Sequence, residues 1–94
     1  MNNIQMKHIV IRVVGRVQGV SFRARTRDKA LELGLRGFVR NEPDGTVLIE
    51  AEGDQDSLNS LVQWCHEGPD SAQVDSVMVD EAEIQHFAGF VIQR

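Results

Sequence analysis

Residues 7–14, KHIVIRVV, alternate with a period of two, so that Ile9, Ile11 and Val13 share one face and predict a strand. Gly15 and Gly19 break the alternation into a loop. From Phe22 the period lengthens: Phe22, Ala30 and Leu33, with Thr26 between them, recur at helical spacing behind Ser21 as candidate N-cap, and Gly34 supplies the stop. RGFVRN (36–41) and TVLIEAE (46–52) flank the turn formers of EPDG and predict a hairpin, with Val47, Ile49 and Ala51 inward and Glu50 and Glu52 outward. Leu58, Leu61, Val62 and Cys65 fall on one stripe of a second helix over 55–67, closed by Gly68 and Pro69. The alternating VDSVMVD within 74–84 predicts a further strand, and GFVIQR a short last one carrying Phe90 and Ile92. The order β-α-β-β-α-β with a short terminal strand predicts an α+β fold of the split βαβ kind, two helices on one face of a mostly antiparallel sheet.

Ninety-four residues, 41% hydrophobic and 26% charged, suit one domain over 1–94 that folds alone. Cys65 has no cysteine partner in the chain, which fits a reducing compartment. No apolar run approaches a membrane span and residues 1–8 lack the apolar block of a signal peptide, so a cytoplasmic monomer without a membrane partner is expected. The net charge of −4 hides a gradient. Before Glu42 the chain holds nine basic and two acidic residues, a formal +7, and from Glu42 onward one basic and twelve acidic residues, −11. The first part is built to attract anions.

That changes the reading of GRVQGVSFRAR, residues 15–25. Arg23, Arg25, Arg27 and Lys29 crowd the start of the first helix, where the dipole disfavours cations. Arg25 and Lys29 share a flank with Asp28 and Glu32, which can answer them at i, i+3, whereas Arg23 and Arg27 have no such partner at that spacing. A glycine-bounded loop that enters a helix from a strand lets the backbone approach a phosphate and converge its N–H groups on the oxygens. Gly15, Arg16, Val17, Gln18, Gly19, Val20, Ser21 and Phe22 would form that cradle, with Arg23 adding a planar bidentate fork. The stretch has no P-loop lysine and no GxGxxG, so on local physics a solvated arginine behind ordinary turn glycines stands beside the phosphate reading.

GRVQGVSFR followed by LGLRGFVRNEPDGTVLIEAEGD, with GPDSAQVDSV and the short last strand, closely resembles the acylphosphatase family over nearly the whole chain. The resemblance implies a ferredoxin-like α/β sandwich that hydrolyses the carboxyl–phosphate bond of acyl phosphates with no metal and no other cofactor. It implies that the loop Gly15 to Ser21 and Arg23 hold phosphate while Asn41 orients the attacking water, so that Arg23 and Asn41 are catalytic and the partners are a small acyl phosphate and inorganic phosphate. Ser21 stands where many members have Gly, Ala24 and Arg25 where larger apolar or aromatic residues are common, and Phe38 where Trp is frequent.

His8, His66 and His86 show no metal-site spacing and are expected at the surface or partly buried. Cys65 reads as a core residue, Trp64 as packing at the edge of its helix stripe, and the acidic run Asp75 to Glu83 as the wet face of a strand. Ser21 lacks an adjacent base for a nucleophilic role. The same element order serves RNA-binding modules, but those stack bases on sheet aromatics, and 5% aromatics with no Tyr argues against nucleic acid. A regulatory module that binds a phosphorylated metabolite without turnover would keep the loop and Arg23 but would need nothing at Asn41.

Overall fold

The computed structural model describes residues 5–94. The order is β1 (Lys7–Arg16), α1 (Phe22–Glu32), β2 (Arg36–Asn41), β3 (Val47–Gly53), α2 (Gln55–Glu67), β4 (Gln73–Ala82) and β5 (Phe90–Gln93). The five strands form one sheet in the order β4-β1-β3-β2-β5, antiparallel throughout except where β5 runs parallel to β2. The expected ferredoxin-like α+β architecture is therefore present, with every predicted element in place. β1 runs two residues past the predicted end, and a bulge between Val14 and Gly15 turns its last residues toward the loop that follows.

The register brings the predicted inward faces together: Ile9 pairs with Ala51, Ile11 with Ile49 and Val13 with Val47. These six residues pack beneath Phe22 and Ala30 of α1 and Leu58, Leu61 and Cys65 of α2, all of them buried. α1 buries only a narrow stripe, Phe22, Thr26 and Ala30, so most of its surface is left to its charges. α2 is fixed at its start by Asp54, whose carboxylate accepts the Ser57 N–H at 2.7 Å, and at its end by the Gly68 N–H on the Trp64 carbonyl at 2.8 Å. Trp64 packs at the stripe's edge as expected, tilted against Phe22 with ring centres 5.4 Å apart. Burial pushes the Cys65 thiol up to about 12, as a core residue rather than a nucleophile requires.

Two expectations are corrected. Glu52 points away from the helices as predicted but is only 2% exposed, and His8 on the same side is 1% exposed. The chain between β4 and β5 returns over this side of the sheet. Glu52 accepts the backbone N–H groups of Gln85, His86 (3.3 Å) and Phe87 (2.9 Å), while the His8 ring lies in hydrogen-bond range of the Glu83 carbonyl through Nδ1 (2.6 Å) and of the Glu50 carboxylate through Nε2 (2.9 Å). The Phe87 ring meets His8 and Phe38 edge-on, with centres 5.4 and 5.8 Å away. This strap leads directly into β5. Burial alone raises the Glu52 carboxyl, but the three N–H donors and the His8 ring outweigh it and hold the group below the usual glutamate value.

Candidate active site

The loop after β1 and the end of β2 meet because β1 and β2 flank β3 and run in the same direction, so their C-terminal ends lie side by side at the same end of the strands. A recess of about 220 Å³ opens there, lined by Val17, Gly19, Ser21, Phe22, Arg23, Ala24, Asn41, Ile92 and Arg94. Phe22 and Val17 are anchored in the core and fix both sides of the loop. Gly15 occupies φ +140°, and a Cβ there would overlap the Gln73 carbonyl of β4. Only glycine lets the loop leave the sheet at that point.

Gly19 (φ +74°) and Ser21 (φ +64°) both take the left-handed conformation, and changes of handedness over a few residues swing successive N–H groups to one side of the chain. Ser21 is the residue before α1, as predicted, but its side chain makes no capping bond. The first intrahelical bond runs from the Arg25 N–H to the Ser21 carbonyl at 3.1 Å, so the N–H groups of Phe22, Arg23 and Ala24 have no intrahelical acceptor. The first turn holds no acidic residue. Free N–H groups and the positive end of the helix dipole favour an anion at such a place.

Of the ion pairs expected from helical spacing only Lys29–Glu32 is made; Arg27, expected to lack a partner, has one, and Arg25 has none among the described residues. Lys29 pairs with Glu32 at 3.8 Å, but Asp28 turns to Arg27, at 3.3 Å, rather than to Arg25. Arg23 is half-buried against the recess and has no carboxylate in ion-pair range among the described residues. Asn41, the last residue of β2, supplies the recess with a buried Oδ1 that no donor among the described residues meets. Of the predicted loop residues, Gly15, Arg16, Gln18 and Val20 do not line the recess. Gln18 turns away, donating from Nε2 to the carbonyls of Glu42 (2.8 Å) and Thr46 (2.9 Å), and the Val20 carbonyl accepts from Ser71 at 3.2 Å. Ala24, Ile92 and Arg94 complete the wall without having been singled out as site residues; Ile92 and Arg94 arrive on β5 or just after it, far away in sequence. No group of three metal-ligating side chains occurs among the described residues.

The Acylphosphatase family model matches residues 9–92. The chain belongs to the acylphosphatase family. It is 48% identical over 89 residues to an acylphosphatase of Salinibacter ruber, covering 94% of each chain. To an acylphosphatase of Marinobacter nauticus it is 54% identical over 79 residues, 83% of this chain and 86% of the relative. The solved structure of an acylphosphatase from Coxiella burnetii superposes with a TM-score of 0.93 at 37% identity, over 99% of this chain and all of that one.

Proposed function

We propose that the recess is where this member of the acylphosphatase family hydrolyses acyl phosphates, with Arg23 and the backbone of the 15–21 loop holding the phosphoryl group and Asn41 holding the attacking water. The observation that carries the reading is the convergence in one recess of an arginine without a carboxylate partner, a helix start without acid, and an asparagine oxygen without a donor. An anion with three equivalent oxygens answers the first two, and a water answers the third.

The chemistry follows from the leaving group. Water oxygen bonds to phosphorus as the bond from phosphorus to the carboxyl oxygen breaks. The carboxylate departs with the electron pair, and because its conjugate acid has a pKa of roughly 4, it needs no proton from the protein. A general acid is therefore dispensable. The asparagine amide is neutral and serves to aim the water in line; the water's proton passes to a phosphate oxygen once the new bond has formed. The N–H groups and Arg23 meet the charge on the equatorial oxygens and are already in position before reaction. Each of these steps is complete without a metal or a covalent enzyme intermediate.

The whole described chain serves the site, since β5 at the sheet edge supplies part of its wall, and we take residues 1–94 as one functional unit acting as a cytoplasmic monomer on a small anionic substrate, with no nucleic-acid or membrane partner. No helix among the described residues is long and apolar enough to cross a membrane. Hydrolysis of an aryl acyl phosphate in the presence of chelator tests the roles. Arg23→Ala is expected to weaken inhibition by inorganic phosphate and to lower turnover, and Asn41→Ala to lower turnover about a hundredfold with phosphate inhibition within about twofold of the parent. Parallel loss of phosphate binding in both variants would remove the division of labour, and a folded, phosphate-binding parent without turnover would leave a binding module.

A further inference from the structure

Asn41 Oδ1 has no hydrogen-bond donor among the described residues, so the aim of that oxygen rests on where the backbone puts it. The backbone is gripped at the next residue. The Glu42 carbonyl accepts Gln18 Nε2 at 2.8 Å from the phosphate loop, and the same nitrogen reaches the Thr46 carbonyl at 2.9 Å across the turn. The Glu42 N–H donates to the Thr46 carbonyl at 2.9 Å. The Glu42 carboxylate lies between two guanidinium groups, accepting Arg40 Nε at 3.0 Å and facing Arg12 Nη1 at 3.8 Å. Arg40 is itself held by Gln93 of β5 at 3.3 Å and lies 5.4 Å from the centre of the Phe38 ring.

We propose that Glu42 is the junction that aims Asn41, held through its carbonyl by Gln18 and through its carboxylate by Arg40, so that Gln18 and Glu42 are positioning residues for the water and not phosphate ligands. The proposal rests on the role given above to Asn41. Gln18 belongs to the loop by sequence, yet its side-chain nitrogen is directed to the hairpin turn, which couples the position of the phosphate to that of the water in one contact. Arg40 and Arg12 act from the opposite side of the sheet. With its carboxylate held by Arg40 and its carbonyl by Gln18, Glu42 fixes the turn against the loop, and Asn41 keeps one orientation toward phosphorus.

A double-mutant cycle read in kcat and in the inhibition constant of inorganic phosphate separates this from simple hairpin support. Gln18→Ala and Glu42→Ala are each expected to lower kcat about tenfold while the phosphate constant stays within about twofold. In the Asn41→Ala background, followed under single turnover at high enzyme concentration, each change is expected to cost less than about twofold, because the group being aimed is gone. Glu42→Gln keeps an acceptor for Arg40 Nε and should recover most of the rate, and it serves equally if Glu42→Ala does not fold. A tenfold loss that persists in the Asn41→Ala background, or a phosphate constant that rises in step with the fall in kcat, overturns the proposal. Full turnover by Asn41→Ala would overturn the role of Asn41 and this inference with it. A slow Asn41→Ala beside a fully active Gln18→Ala and Glu42→Ala would overturn this inference alone.

Discussion

At the scale of single residues, the two glycines of the loop serve different ends. Gly15 has both a left-handed φ and no room for a Cβ, because the β4 backbone lies against it, whereas Gly19 has the φ but open space around it. Gly15→Ala is expected to cost about 3 kcal/mol and Gly19→Ala about 1 kcal/mol in urea unfolding, the second being backbone strain alone. Equal costs would mean that β4 yields easily at the bulge. Residue chemistry was partly legible in the chain. The glycine-bounded loop and Arg23 stood out because helix starts seldom gather unpaired cations, though local physics left a solvated arginine as an equal reading, and the pairing of Asp28 with Arg27 instead of Arg25 depended on rotamers that spacing does not encode. Asn41 carried no signal of its own; the resemblance of VRN to the family's pattern pointed to it. Ala24, Ile92 and Arg94 were not identified as wall residues, since nothing in their local sequence says what they face.

The element that periodicity could not foresee is the strap of residues 83–89. Alternation placed Glu52 on the side of β3 away from the helices, correctly, and exposure was then the natural expectation, because a two-layer fold leaves that side to water. The chain instead crosses back over it on the way to β5, and Glu52 satisfies the strap's N–H groups. The consequence is an acid-sensitive fastening. Since the folded Glu52 carboxyl lies below the ordinary value of 4.5, its stabilisation is fully present above that value and is lost as pH falls through the lower folded value. Glu52→Gln should cost about 2 kcal/mol at pH 7, less at pH 3, and should speed amide exchange at Gln85, His86 and Phe87 before it affects β1. An unchanged pH profile in thermal melts of the variant would show that the strap is held by Phe87 and His8 without the carboxylate.

For the whole molecule, two cations from opposite ends of the chain, Arg23 of α1 and Arg94 after β5, line the recess of a protein with net charge −4 and give it a local positive field. Raising ionic strength from 20 to 500 mM should increase KM for an acyl phosphate roughly threefold with little change in kcat, because screening weakens capture more than the short contacts within the site. A kcat that fell as steeply would place the salt effect on the bound state. Cys65, buried between α2 and the sheet with its thiol pushed up to about 12, should resist alkylation at pH 8 until the chain unfolds, as mass spectrometry of iodoacetamide-treated protein would report. The sequence by itself determined the elements, their inward faces and the glycine-bounded, cation-rich entry to α1, because periodicity, glycine placement and charge act over a few residues. Only the tertiary structure decided that Asn41 and Arg94 share a recess with Arg23, that Gln18 grips the hairpin and that Glu52 is covered. Those outcomes depend on which strands become neighbours and where a long connection returns, and contacts between residues tens of positions apart are fixed only when the whole sheet has closed.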